Sequence, residues 1–237
     1  MKPQPGVALT TAMVALTLTT GLVEAVSFLA LGPVFTAVQT GNLLFLGFAV
    51  AGEGGFSTVA SMVSLAGFVV GALLGARLES AVDLRGGHWF PVALAVESAL
   101  LAIAGVVAWG MGPVGGTLSA VHGTVTAIVA VAMGLRNVTT MRAKVPDLPT
   151  TVATRALTAL LAPLALDSQI PAGVRNQGRR VASVGAMFLG GLLGAWLLHQ
   201  GVQAAAVLLA VAALVVTTGA GYELARRRGR PASQGLP

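Results

Sequence analysis

Residues 68–78 have the sequence Phe68-Val-Val-Gly-Ala-Leu-Leu-Gly-Ala-Arg-Leu78, and residues 187–197 have Met187-Phe-Leu-Gly-Gly-Leu-Leu-Gly-Ala-Trp-Leu197. Six of the eleven aligned positions are identical, which is more than shared hydrophobicity easily gives. Each stretch lies in an apolar run close to the length of about 20 residues that spans a bilayer as a helix. The pair therefore predicts two related halves, each containing this helix.

The composition of the whole chain is that of a membrane protein. Of its 237 residues, 55% are hydrophobic and 9% are charged, with a mean hydropathy of +0.85, whereas soluble domains carry about 25% charged residues. The formal charge of +6 comes from basic residues in short loops and one tail, so it reports membrane orientation and not nucleic-acid binding. The absence of cysteine excludes disulfides and thiolate metal sites.

Eight apolar segments can be marked along the chain. They are 8–31, 36–52, 56–77, 90–110, 118–138, 150–166, 181–200 and 203–222. The second and sixth are the shortest, and each follows a break that contains glycine or proline. Their openings, 36–40 and 150–154, are rich in residues that disfavour helix and favour extended backbone.

The basic residues favour six crossings over eight. With eight crossings, five of the 14 basic residues lie outside, namely Arg77, Arg85, Arg136, Arg142 and Lys144. With six, no basic residue of a loop or tail lies outside, as the positive-inside rule requires. We therefore predict an all-α polytopic protein of the inner (cytoplasmic) membrane, with six spanning helices, two broken or re-entrant segments and both termini in the cytoplasm.

Three crossings in each half make the predicted architecture an inverted-topology repeat. The predicted divisions are a cytoplasmic tail at 1–7, the first repeat at 8–112, the inverted second repeat at 113–223 and a basic cytoplasmic tail at 224–237. The small-residue faces Gly71-x-x-x-Gly75 and Gly190-x-x-x-Gly194 fit either an interface between the halves or a homodimer seam. We favour the internal interface.

The stretch from Gly21 to Asn42, Gly21-Leu-Val-Glu-Ala-Val-Ser-Phe-Leu-Ala-Leu-Gly-Pro-Val-Phe-Thr-Ala-Val-Gln-Thr-Gly-Asn42, resembles the signature of the YoaK-like family of bacterial inner-membrane proteins of unknown function. Residues 133–138 and 145–152 agree with the same pattern. The resemblance implies an integral membrane protein and no settled substrate. The chain departs from the pattern at Glu24, where Asp is usual, and at Arg155, where Gly is usual.

The predicted solute site lies where the two extended stretches become helix. Thr40 and Thr154 are natural N-caps, and free N–H groups at two helix starts favour an anionic or hydrogen-bond-accepting group. Gly41 would let a ligand approach the backbone. The predicted substrate-binding residues are Thr36, Gln39, Thr40, Gly41, Asn42, Asn137, Thr150, Thr154 and Arg155. The alternative is that these residues only cap and pack two turns.

Three further polar residues lie within apolar segments. Glu24 is the candidate for proton or ion coupling, and its alternative role is a hydrogen bond from the first helix to residues 36–40. Glu97 is expected to pair with Arg77 or Arg85 near the cytoplasmic boundary. His122 is expected to make an interfacial hydrogen bond.

These patterns predict a small secondary transporter, or a channel, for a small polar or anionic solute. Membrane lipid is its other expected partner, and no nucleic acid is expected. The sequence carries no nucleophile elbow, P-loop, dinucleotide fingerprint or metal motif. We therefore expect no enzyme activity, catalytic residue, metal or cofactor. The alternative function is a non-transporting membrane scaffold or sensor whose broken segments only pack.

Overall fold

The computed structural model describes residues 6–53, 55, 57–112, 119–143, 145 and 174–228. The described residues form helices, turns and short irregular stretches, without a strand. Their seven helices are α1 (Val7–Ala30), α2 (Gln39–Val50), α3 (Thr58–Leu84), α4 (Trp89–Val107), α5 (Ala120–Ala143), α6 (Val174–His199) and α7 (Ala204–Arg228). Six of these helices, all except α2, are long and apolar enough to cross a membrane. This confirms the predicted all-α polytopic class.

Several helices continue beyond their apolar segments. α3 continues from the predicted end at 77 to Leu84, α5 from 138 to Ala143, and α7 from 222 to Arg228. α6 begins at Val174 instead of 181. The added turns include polar and charged residues, such as Glu79, Arg142 and Arg226. Helix continues through them because its backbone hydrogen bonds do not require apolar side chains. The start of the predicted basic tail at 224 is therefore helical through Arg228.

Glycines bring α3 against α5 and α1 against α6 at backbone contact distance. A Cβ atom at Gly71 would lie 2.0 Å from the Val131 carbonyl oxygen, and one at Gly190 would lie 2.1 Å from that of Leu18. Both contacts join the N-terminal half of the chain to the C-terminal half. The glycine faces therefore form the internal interface that the sequence favoured.

The order of these contacts gives the directions of the helices. Contacts advance together along α3 and α5 and along α1 and α6, so each pair is parallel. The contacts are Gly67 to Ala127, Gly71 to Val131 and Gly75 to Leu135 in the first pair, and Leu18 to Gly190 and Leu22 to Gly194 in the second. α4 and α7 are antiparallel, because Gly105 lies against Leu209 and Gly219 lies against Leu94.

The connection from α1 to α3 begins and ends at the same end of the bundle. Short turns make α4 antiparallel to α3 and α7 antiparallel to α6, and together with the contacts above this makes α1 antiparallel to α3. With 12 residues, α2 is about 18 Å long, which is too short for a hydrocarbon core of about 30 Å. The other predicted broken segment, 150–166, lies outside the described residues.

Candidate functional site

A glycine and a proline end α1 and send the chain back into the bundle. Gly32 has φ 113°, a left-handed conformation that favours glycine. Pro33 then fixes its own φ and disfavours helix in the residue before it. The following stretch is not helical, yet Val34 and Ala37 are buried in the core. Its backbone groups therefore need partners inside the protein.

Glu24 supplies the partners for three of these backbone groups. It lies six residues before the end of α1, which is about 9 Å along the helix axis, and its side chain is buried. The Val38 N–H donates to Oε1 over 3.1 Å and the Thr36 N–H donates to Oε2 over 3.4 Å. The Ala37 N–H also donates to Oε1. The Glu24 carboxylate thus occupies the region just before the first turn of α2, where a capping side chain would lie.

Asn42, Gln39 and Ser64 hold the other side of the same stretch. The Phe35 N–H donates to Asn42 Oδ1 over 2.9 Å, and the Asn42 amide donates to the Phe35 carbonyl. Ser64 Oγ donates to that carbonyl over 2.6 Å. Gln39 Nε2 donates to the Thr36 carbonyl over 2.8 Å. These bonds satisfy non-helical backbone inside the bundle, as a membrane interior requires.

The structure thus brings Thr36, Gln39 and Asn42 together with Glu24. It adds Ser27 and Ser64, which the sequence analysis did not include. The Ser27 and Thr36 hydroxyls are 2.7 Å apart. Ser64 lies 22 residues from Asn42 in the chain, so only the packing of α2 on α3 reveals its part. We call Glu24, Ser27, Thr36, Gln39, Asn42 and Ser64 the segment cluster.

Two predicted roles in this region are wrong. Thr40 is not the N-cap, because α2 begins at Gln39 and Thr40 is an exposed residue of its first turn. The Glu24 carboxylate from α1 replaces a local cap. Gly41 does not open the backbone to a ligand, because a Cβ atom there would lie 2.5 Å from the ring of Phe35. Its small size admits that ring.

The remaining predicted site residues lie elsewhere. Asn137 is half-buried on α5, where its Nδ2 is 3.6 Å from Met141 Sδ, and it is not part of the segment cluster. Thr150, Thr154 and Arg155 lie outside the described residues. The sequence predicted that two helix starts lie close together. The second of them, at residues 150–155, stays a prediction.

A buried ion pair lies nearer the middle of the bundle. The Arg136 guanidinium on α5 donates from Nε to Glu97 Oε1 on α4 over 2.8 Å. Its Nη2 also donates to the same oxygen. Its Nη1 donates to the Leu16 carbonyl over 3.1 Å and to Thr20 Oγ1 over 2.9 Å, both on α1. Both charged side chains are fully buried. Glu97 Oε2 is also buried, and no hydrogen-bond partner for it is found in the described part of the chain.

This ion pair corrects two predictions. Arg136 is not in a cytoplasmic loop, because α5 continues to Ala143. Glu97 does not pair with Arg77 or Arg85, and it lies eight residues after the start of α4 and ten before its end. Arg136 was counted as a loop residue under the positive-inside rule, which does not apply to a charge that is neutralised inside the bundle. Opposite charges within segments 90–110 and 118–138 were the signal in the sequence.

A third polar group ties α3 to α5 at the end of the bundle where both helices finish. Thr139 Oγ1 donates to the buried Glu79 over 2.8 Å. Arg142 contacts Asp83 and lies 3.5 Å from Glu79 Oε2. Its guanidinium also lies 4.6 Å from the ring centroid of Trp89. These contacts hold the turn from α3 to α4 against α5.

His122 makes the kind of hydrogen bond that was predicted for it near one end of α5. Its Nδ1 lies 2.6 Å from Ser119 Oγ. Within the described ranges, no group of three or more His, Cys, Asp or Glu side chains is arranged to hold a metal ion.

Six candidate membrane-crossing helices around buried ionisable side chains define a polytopic α-helical membrane protein with a polar interior. The chain belongs to the DUF1275 family, described as proteins of unknown function, which matches residues 12–220. This confirms the YoaK-like resemblance.

A curated relative agrees with this assignment. The chain is 39% identical over 59 residues to a protein named UPF0700 transmembrane protein YoaK from Bacillus subtilis (strain 168). The match covers 25% of this chain and 26% of that protein. The chain thus spans about a quarter of the length of the relative that it matches. No solved structure matches the chain.

Proposed function

We propose that this protein is a small secondary transporter for a small anionic solute, built from two inverted repeats in the bacterial inner membrane. The carrying observation is that the backbone N–H groups of Thr36, Ala37 and Val38 already hold a carboxylate, that of Glu24. The donors at this helix start therefore have the geometry for an anionic group. An anionic solute would bind them when the Glu24 side chain withdraws.

Equivalent helix contacts in the two halves support the inverted repeat. In the repeat, α1 corresponds to α5, α3 to α6 and α4 to α7. The contact between α3 and α5 then corresponds to that between α6 and α1, and the contact between α4 and α5 to that between α7 and α1. All four contacts are present. The glycines agree, since Gly134 lies against Phe68 as Gly21 lies against Met187. Matched helices run in opposite directions, as in transporters with inverted repeats.

Charge distribution supports a cytoplasmic location for both termini. Arg85, Arg142 and the run Arg226–Arg228 lie at the end of the bundle where α3, α5 and α7 finish. The positive-inside rule places this end in the cytoplasm. The N-terminal end of α1 lies on the same side, because α1 is antiparallel to α3.

In this proposal, Thr36, Gln39 and Asn42 shape the first half of the solute site. The second half of the site comes from Asn137, Thr150, Thr154 and Arg155. Arg155 adds a positive charge that would further favour an anion. Glu24 is the group that must leave the helix start before the solute binds, so its protonation would promote solute binding.

Flux measurements on purified protein in liposomes test the proposal. The probes are radiolabelled pyruvate, urea and choline, which are anionic, neutral and cationic. We expect pyruvate uptake faster than in protein-free liposomes, and urea and choline uptake at the protein-free rate. A Glu53→Gln variant, changed at an exposed loop residue, serves as the matched control. Uptake of choline alone would contradict the anion site, and no protein-dependent uptake of any probe would favour a scaffold or sensor.

A further inference from the structure

In the Arg136–Glu97 pair, only one of the two carboxylate oxygens of Glu97 accepts hydrogen bonds from the described residues. Both hydrogen bonds from Arg136 end on Oε1 of Glu97. Oε2 is buried, and the described residues provide it with no hydrogen-bond donor. Buried carboxylate oxygens in a purely structural ion pair are normally all bonded, often side by side to one guanidinium. The bare oxygen is therefore available to a proton.

The equivalent place in the other half of the molecule is apolar. The matched pairs Gly134 with Gly21 and Leu135 with Leu22 put Val23 at the place of Arg136. Gly105 and Gly219 make equivalent contacts between α4 and α7, which puts Val211 at the place of Glu97. Both valines are fully buried. At the corresponding places of α1 and α7 the proposed repeat thus has apolar side chains, which indicates that helix packing of this kind does not require an ion pair.

Glu97 is the charged partner of Arg136 among the contacts around it. From α1, Leu16 offers a carbonyl and Thr20 a hydroxyl, and both are neutral. Glu24, one turn beyond Thr20, binds the backbone of 36–38. From α7, the Ala212 carbonyl faces the neighbouring Ser98 hydroxyl at 2.7 Å.

On the described helices packed against α4, the other acidic groups have cations of their own. Glu79 and Asp83 on α3 contact Arg142. Glu223 on α7 contacts Arg226 and Arg227. The charge of Arg136 is therefore balanced by Glu97.

This arrangement links a proton to an anion. Arginine stays protonated in proteins, so a proton on Glu97 would leave Arg136 as an unpaired cation inside the membrane. Such a charge is strongly unfavourable. An anion that arrives beside Arg136 at the same time removes the imbalance. By linkage, anion binding must then promote protonation of Glu97 to the same degree.

We propose that Glu97 and Arg136 form a proton-coupled anion site. A proton from water binds Oε2 of Glu97, and a small monovalent anion replaces the Glu97 carboxylate at the Arg136 guanidinium. One O–H bond of a hydronium ion breaks as the O–H bond of the Glu97 carboxyl forms, and the anion binds without a covalent change. Release reverses both steps. That this anion is also the transported solute rests on the proposed transport function.

Proton uptake by purified protein in detergent tests the site without requiring transport. The probes are potassium nitrate and potassium pyruvate, added to weakly buffered protein with a pH indicator, and potassium gluconate controls for ionic strength and anion size. We expect about one proton taken up per chain at saturation. At pH values where Glu97 is ionised in the anion-free protein, anion binding should become about tenfold tighter for each unit by which the pH is lowered. Glu53→Gln should behave like the parent.

Two variants connect the uptake to this pair. Glu97→Gln keeps the side-chain shape but cannot exchange a proton, so we expect anion binding whose affinity does not change with pH, and no uptake. The double change Glu97→Val with Arg136→Val copies Val211 and Val23. We expect it to fold, with a melting temperature no lower than that of the parent, and to take up neither anion nor proton.

Several results would overturn the site. They are no uptake by the parent with either probe, parent-like uptake by the double variant, or failure of both variants to fold, which would make the pair structural. The proposed function can fail separately. Anion-linked proton uptake without flux in liposomes would remove transport and keep the site, whereas flux without linked uptake would remove the site and keep transport.

Discussion

Glu24 shows how one side chain organises a break in a membrane helix bundle. Its carboxylate accepts hydrogen bonds from the backbone N–H groups of residues 36–38, the last residues before α2. It therefore supplies partners to non-helical backbone at the start of that helix. Charge and position together suit this task, because a carboxylate can only accept hydrogen bonds and all three neighbours donate. The hydrogen bond from the first helix to the 36–40 stretch, one of two roles considered for Glu24, is therefore present.

Replacing Glu24 by Gln should loosen residues 36–38. The Gln amide keeps one acceptor but points a donor at backbone donors, a loss of about 1–3 kcal/mol, so amide hydrogens there should exchange roughly 5- to 150-fold faster. Hydrogen–deuterium exchange with mass spectrometry measures this. Glu53→Gln is the control, and unchanged exchange in Glu24→Gln would show that the carboxylate does not hold the segment.

At the scale of elements, close helix contacts depend on particular glycines. Gly190 and Gly185 lie on the same helix, α6, but in different surroundings. A Cβ atom at Gly190 meets the Leu18 carbonyl at 2.1 Å, whereas one at Gly185 meets nothing within 4 Å. The first glycine is therefore required by packing, and the second is not.

Gly190→Ala and Gly185→Ala should consequently have opposite effects. We expect Gly190→Ala to destabilise the protein by about 1–3 kcal/mol through overpacking. Gly185→Ala should stabilise it by up to about 1 kcal/mol through helix propensity. Melting temperatures in detergent measure both. Equal shifts for the two variants would contradict the backbone contact between α1 and α6.

The sequence predicted the described elements well where local pattern decides them. Apolar length gave the six long helices, and Gly32-Pro33 gave the break before α2. α2 begins at Gln39 and not after Thr40, because the capping group comes from another helix, which the local pattern does not contain. Arg136 was predicted in a loop because the sequence shows only that Glu97 and Arg136 lie in two apolar segments. Packing is needed to show that the two side chains meet.

In the whole molecule, six crossings with cytoplasmic termini place the turns on either side of α3 on opposite sides of the membrane. The chain has no cysteine of its own, so single cysteines report location directly. We expect Glu53→Cys to react with a membrane-impermeant thiol reagent on intact cells. Arg85→Cys should react only after the membrane is opened. Reaction of Arg85→Cys on intact cells would contradict the six-crossing arrangement.

Transport of an anion together with a proton can be recognised by the driving force for nitrate uptake into liposomes. At the Arg136–Glu97 site a monovalent anion replaces the Glu97 carboxylate, which has gained a proton. The loaded and empty sites therefore carry the same net charge. We therefore predict that a pH gradient, alkaline inside, drives nitrate uptake by the parent, and that an imposed membrane potential does not change its rate. A transported net charge would instead feel about 2.3 kcal/mol per 100 mV, and uptake that follows the potential and ignores the pH gradient would contradict the account.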